Sequence, residues 1–213
     1  MTIKAFIFDL DGTILHTLPD LAIAANEALR QMGLPTRTYE EIQSFMGDGG
    51  ARMIGRAVPS DTPDDLRWQV FDRWRTIYIG SDYANTAPFP GVVEALRELR
   101  ECEVKTGVLS NKFDEGTRVL TQRFFPGLFD AVRGDKPPAP RKPDPTTLLE
   151  MLQQLGVRPE DAAYVGDSLV DVQVARNAGV LAVGVSWGYD AVSPLPIEQL
   201  DAYIHDPLEL QNL

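Results

Sequence analysis

The chain has 213 residues, 44% of them hydrophobic and 24% charged, with 20 basic against 31 acidic side chains and a formal net charge of −11. A chain this long and this apolar can bury a real core and is no solvated coil. So acidic a composition, with no basic stripe, argues against nucleic acid as a partner. The single cysteine, Cys102, excludes an internal disulfide framework or a Cys-rich zinc site.

The opening run Met1–Phe8 meets Asp9 too early for a signal peptide. No stretch approaches the ~18 consecutive apolar residues of a membrane span. A cytoplasmic protein without membrane contact is expected. Ile3–Phe8 is an apolar run closed by Asp9-Leu10-Asp11-Gly12-Thr13, the pattern of a strand buried on both faces. From Leu15 to Pro88 no convincing strand follows. Leu18, Leu21, Ala25, Ala28, Leu29 and Met32 fall at helical spacing, and Val70, Phe71, Trp74, Ile77 and Tyr78 form a second stripe, read as core rather than as a cofactor site. Pro88-Phe89-Pro90-Gly91 marks the return. Val92, Val93, Leu96 and Leu99 then share a helical face before the run Val104–Leu109, which ends in Ser110-Asn111. Leu148, Leu149, Leu152 and Leu155 do the same before Ala162–Val165, which ends in Gly166-Asp167-Ser168, and Val180–Val185 is a further run. Strands alternating with helices predict βαβ units: a Rossmann-like α/β core with a parallel sheet flanked by helices, and an α-helical cap inserted after the first strand. The expected division is 1–14 with 89–213 for the core and 15–88 for the cap.

Ligands of such sheets bind beyond the carboxyl ends of the strands, and the unusual polar clusters of this chain sit there. Asp9 and Asp11 leave the first strand, Ser110 and Asn111 the second, and Asp167 and Asp171 a later one, with Lys142 in the Pro-rich loop between them. An extended segment would point Asp9 and Asp11 to one side, and a first helical turn would do the same for Asp167 and Asp171. Carboxylates facing one point need a cation among them. An all-oxygen set suits a hard ion, with Mg²⁺ the usual choice beside phosphate. With four ionised aspartates, one divalent ion and Lys142, the site stays near −1, so activity is expected to depend strictly on the ion.

Phe8-Asp9-Leu10-Asp11-Gly12-Thr13, Leu109-Ser110-Asn111, Arg141-Lys142-Pro143-Asp144-Pro145 and Val165-Gly166-Asp167-Ser168 with Asp171 resemble, in order, the four motifs of the haloacid dehalogenase-like hydrolases. The helical insertion resembles that of the C1-capped phosphatases. Leu18-Pro19-Asp20-Leu21, Gly47-Asp48-Gly49-Gly50 and Pro90-Gly91-Val92-Val93 resemble the phosphoglycolate phosphatase branch. The resemblance implies a magnesium-dependent phosphomonoesterase acting on a small phosphorylated metabolite, best guessed as 2-phosphoglycolate. Asp9 would be the nucleophile forming an aspartyl-phosphate and Asp11 the general acid and base. Ser110, Asn111 and Lys142 would hold the phosphoryl group, and Asp9, Asp11 (through its carbonyl), Asp167 and Asp171 (through a water) would hold Mg²⁺.

His16 departs from the acidic residue common in relatives and is assigned to the rim of the site, as is Lys112; Lys136 reads as a solvated charge. The insertion holds seven arginines and no lysine, which argues against Schiff-base phosphonate chemistry. Arg52 and Arg56, four apart after Gly49, suit a substrate carboxylate or a solvated helix face. A phosphomutase, a pyrophosphatase, a sugar-phosphate or nucleotide phosphatase and a phospho-acceptor signalling domain are the rival readings. Whether the protein is a monomer or a homodimer is not legible.

Overall fold

The computed structural model describes residues 3–189 and 195–213; Met1 and Thr2 of the opening run lie outside the described residues, as do residues 190–194 of the expected core. Two compact units are present, Met1–Leu15 with Pro88–Leu213, and His16–Ala87.

The first unit is built on a six-stranded sheet. Its strands are β1 (Ala5–Phe8), β4 (Lys105–Phe113), β5 (Ala131–Asp135), β6 (Ala162–Gly166), β7 (Leu181–Val185) and β8 (Ala202–Ile204), in the spatial order β5-β4-β1-β6-β7-β8. Every pairing is parallel. Helices α5 (Val92–Glu101), α6 (Asp114–Phe124), α7 (Thr146–Leu155) and α8 (Leu169–Ala178) supply the crossovers. β1 is buried throughout, as its unbroken apolar run requires. The chain passes from β1 to β4 and β5 on one side, then returns to β6 on the other, so the strand order reverses beside β1. There the carboxyl ends of β1, β4 and β6 leave a crevice.

Four details differ from the sequence pattern. β4 runs four residues past Leu109, carrying Ser110, Asn111 and Lys112 inside a strand whose pairing with β5 shifts register between Leu109 and Phe113. β5 and β8 have no counterpart in the apolar pattern: they are the two edge strands, short and only partly buried, so they lack a long apolar run. In α7 the buried stripe is Leu148, Met151 and Leu152, while Leu149 is exposed. Asp167 precedes α8 rather than riding on it, because Ser168 is the N-cap and Asp171 the third helical residue.

The second unit is helical, with α1 (Leu18–Gln31), α2 (Tyr39–Ser44), α3 (Gly50–Ala57) and α4 (Asp64–Ile79). Strand-like structure is confined to its two ends, where β2 (Leu15–His16) and β3 (Ala87–Pro88) pair as a two-stranded ribbon. α1 packs on α4, and its Leu18, Leu21, Ala25, Ala28 and Leu29 are buried. Trp74 and Tyr78 of α4 are buried and stacked with ring centroids 5.8 Å apart, so the aromatic stripe is core. Asp20, on the first turn of α1, is 7% exposed. Its carboxylate accepts hydrogen bonds from the backbone N–H of Asn85 (3.0 Å), from Asn85 Nδ2 (2.9 Å) and from the Thr86 hydroxyl (2.7 Å), which ties the end of the unit to its beginning.

Candidate active site

The first unit gathers six charged side chains at the end of its sheet. Asp9 follows β1 directly, its N–H bonded to the carbonyl of Val165 on β6. The chain then turns at Gly12 (φ +89°), and the N–H groups of Ile14 and Leu15 bond back to the carbonyl of Leu10. Any side chain at Gly12 or at Gly188 would collide with the Asp167 carboxylate, so these two positions make the space that group occupies.

Asp167 is 4% exposed; one carboxylate oxygen accepts the Thr13 hydroxyl at 2.7 Å and the other the N–H of Tyr189 at 2.9 Å. Asp171 reaches back along the first turn of α8, where one oxygen accepts the N–H (3.0 Å) and hydroxyl (2.6 Å) of Ser168. Its second oxygen takes the ammonium of Lys142 at 2.7 Å. Lys142 is 4% exposed, and its Nζ also donates to the Tyr164 hydroxyl (2.8 Å) and lies 3.1 Å from Asp9 Oδ1. The Tyr164 hydroxyl in turn donates to the carbonyl of Leu109, the residue before Ser110. Asn111 Nδ2 donates to the carbonyl of Lys142 at 3.1 Å, joining β4 to the Pro-rich loop. Asp9, Ser110, Asn111, Lys142, Asp167 and Asp171 therefore meet in one place.

Asp11 takes a different partner. Both of its carboxylate oxygens accept from the Lys112 ammonium, at 3.0 and 3.2 Å. Lys112 is not at a rim: it is 4% exposed. A lysine three residues beyond the apolar run Val104–Leu109 carries no local mark of burial, and it is buried because β4 continues through it. With Lys112 and Lys142 both in the site, four carboxylates and one divalent ion come near neutrality rather than −1.

The electrostatics are those of a site built around a cation. Burial raises the Asp9 carboxyl to about 6, opposed by Lys142 and reinforced by Asp171. Burial likewise raises Asp167, to about 8, with repulsion from Asp171 and Asp9 adding to it. Burial alone would lower Lys142, but the Asp171 and Asp9 carboxylates reverse the direction and raise it. Carboxylate oxygens of Asp9, Asp167 and Asp171 lie within 4.8 Å of one another. Among the described residues, Asp9 Oδ1 and Asn111 Oδ1 are buried without a well-formed hydrogen bond, the first with the Lys142 ammonium 3.1 Å away as an ion-pair neighbour. A buried carboxylate oxygen with one ion-pair neighbour and several other carboxylates around it is what a hard cation satisfies. The donor set therefore fits Mg²⁺.

The remaining candidates belong to the helical unit or its edge. His16 lies in β2, half-buried, its imidazole lowered by burial. Gly49 is the N-cap of α3 with φ +84°. Arg52 and Arg56 project from α3 onto Asp48, Arg52 at 3.5 Å and Arg56 in close contact, and Arg56 also donates to the carbonyl of Phe45. Gly50 is a packing position, because a side chain there would strike the Trp74 ring. Lys136 is exposed, as read.

Fold and site together define an α/β enzyme that handles an anionic group at the carboxyl edge of a parallel sheet. The chain belongs to the haloacid dehalogenase-like hydrolases, whose family model matches residues 6–185. It is 34% identical to the phosphoglycolate phosphatase of Pseudomonas putida over 95% of this chain and 76% of that one. It is 37% identical to the enzyme of that name from Nitrosospira multiformis, over 89% of this chain and 86% of that one. A crystal structure from Lactobacillus delbrueckii subsp. bulgaricus, provisionally assigned as a phosphoglycolate phosphatase, superimposes with a TM-score of 0.89 at 32% identity, covering 100% of this chain and 98% of that one. Among the described residues, no helix is long and apolar enough to cross a membrane.

Proposed function

We propose that the protein is a cytoplasmic, Mg²⁺-dependent phosphomonoesterase working through an aspartyl-phosphate, with 2-phosphoglycolate as its substrate. The observation that carries the chemistry is the buried Asp9 Oδ1, without a well-formed hydrogen bond and ion-paired with the Lys142 ammonium. The substrate rests on the names of the relatives.

A carboxylate oxygen of Asp9 attacks phosphorus as the bond from phosphorus to the alcohol oxygen breaks, and that oxygen takes a proton from the Asp11 carboxyl. In the second half, Asp11 as carboxylate takes a proton from water, whose oxygen attacks the phosphoryl group and returns Asp9 with release of orthophosphate. Lys142, fixed by Asp171 and Tyr164, faces the charge that spreads over the phosphoryl oxygens, and Ser110 and Asn111 bind the same group. Asp9 and Asp167 would hold Mg²⁺ with the Asp11 carbonyl and, through a water, Asp171, whose carboxylate also holds Lys142. The ion, when bound, supplies positive charge that lets two anions approach each other. The helical unit is proposed as the cap, residues 15–88, with His16, Gly49, Arg52 and Arg56 as its specificity residues.

Phosphate release from a panel of phosphoesters, with Mg²⁺ and after exhaustive chelation, tests this. The expected result is turnover of 2-phosphoglycolate above sugar phosphates, nucleoside monophosphates and pyrophosphate, and none without the ion. Activity surviving chelation, or an isomerised sugar phosphate in place of free phosphate, refutes it.

A further inference from the structure

We infer that Lys112 is a positioning residue for Asp11, acting on the half-reaction in which Asp11 takes a proton from water; this rests on the acid/base assignment of Asp11 proposed above. The ammonium meets both carboxylate oxygens of Asp11, at 3.0 and 3.2 Å. One ammonium shared by both oxygens is a point charge set on the axis of the carboxylate, and it fixes where that group sits.

The lysine is itself held. Its backbone N–H donates to the Ser110 hydroxyl (3.2 Å), and its carbonyl accepts from the Thr117 hydroxyl (3.2 Å) at the start of α6. On the other side Gly134 of β5 lies so close that a Cβ there would come 2.7 Å from the Lys112 carbonyl oxygen. β5 thus packs tightly against the Lys112 backbone, where β4 and β5 slip register. A strand position is a stiffer mount for the carboxylate than the turn from which Asp11 projects. The contact spans 101 residues of sequence, from the second strand of the crossover to the first.

A salt bridge serving only stability would leave the chemistry untouched or slow both halves together. A positioning role separates them. With p-nitrophenyl phosphate the departing phenolate needs little protonation, so the first half should proceed in Lys112→Met while the second stalls. The experiment is rapid-mixing kinetics of the Mg²⁺-loaded full chain with that substrate, following p-nitrophenol. Lys112→Met should give a burst equal to the enzyme concentration, followed by a steady state at least 30-fold slower than wild type, with phosphoenzyme recoverable by acid quench. Lys112→Gln, which keeps one donor toward Asp11, should restore part of the steady rate, and it carries the same test if the methionine variant does not fold. An unchanged steady state, or a burst and steady state slowed in parallel, overturns the inference. Asp11→Asn is the reference: if it too shows no burst followed by slow turnover, the acid/base reading of Asp11 has failed, which is a different failure.

Discussion

The two units each bury aspartate, and they treat it in opposite ways. In the helical unit Asp20 receives three hydrogen bonds from Asn85 and Thr86 and needs nothing further. At the edge of the sheet Asp9 keeps a buried oxygen without a well-formed hydrogen bond, ion-paired only with Lys142, and Asp167 is raised to about 8 by burial and like charge. A buried carboxylate with a full set of donors is architecture; one left short of donors among its own kind is a binding site. The first ties two ends of a unit together. The second carries a cost in stability that a cation bound there, as proposed, would remove.

Substitution should therefore have opposite signs in the two places. Asp9→Asn is expected to lower phosphate release more than 10³-fold, since an amide is no nucleophile. In metal-free protein near pH 8 it should at the same time leave the melting temperature unchanged or raised, because a charge that the fold disfavours has been removed. Measured side by side, activity retained within tenfold would sink Asp9 as the nucleophile, and a large loss of stability would erase the contrast with Asp20.

Asp20→Ala should cost about 3 kcal/mol, the scale for leaving several buried donors unpaired, and thermal unfolding of the full chain measures it. A loss below about 0.5 kcal/mol would mean that the two ends of the helical unit are held by packing alone.

The smallest effect is the most diagnostic of a cation. The native carboxyls of Asp9 and Asp167 titrate near 6 and 8, against an ordinary value near 4 in the unfolded chain. Between those limits the native state binds more protons than the unfolded one, so metal-free stability falls as pH rises from about 4 to about 8. Mg²⁺ competes with those protons. It should raise the melting temperature more at pH 8.5 than at pH 5.5, and its binding should release protons at the lower pH. An Mg²⁺ shift equal at both values would show that the ion does not meet these groups.

How much of this was legible beforehand follows from the range of each interaction. β1 and the face of α1 are announced by local apolar pattern, and so they were found at nearly their true limits. β5, with the sequence Ala-Val-Arg-Gly-Asp, and the three-residue β8 carry no such pattern; they are strands because their neighbours offer a free edge. Asp9, Ser110, Asn111, Lys142 and Asp167 could be read together because each ends a strand or a motif, and parallel strands bring their ends to one place. Asp167 and Asp171 do meet, but through the N-cap turn at Ser168 rather than on one helix face. The rim assignment of Lys112 fails and the roles of Tyr164 and Asp20 are not legible in the sequence, for each is defined by a partner between 22 and 101 residues away.

The sequence by itself determined the alternation of strand and helix, the helical insertion, and the carboxylates, lysine and hydroxyl that strand ends present, because these are written in periodicity and in polar breaks of apolar runs. Only the tertiary structure decided which carboxylate each lysine serves. Asp9 and Asp171 take Lys142, and Asp11 takes Lys112. The reason is physical: a buried charge is placed by the partner that stabilises it, and no local pattern records a partner that arrives from another strand.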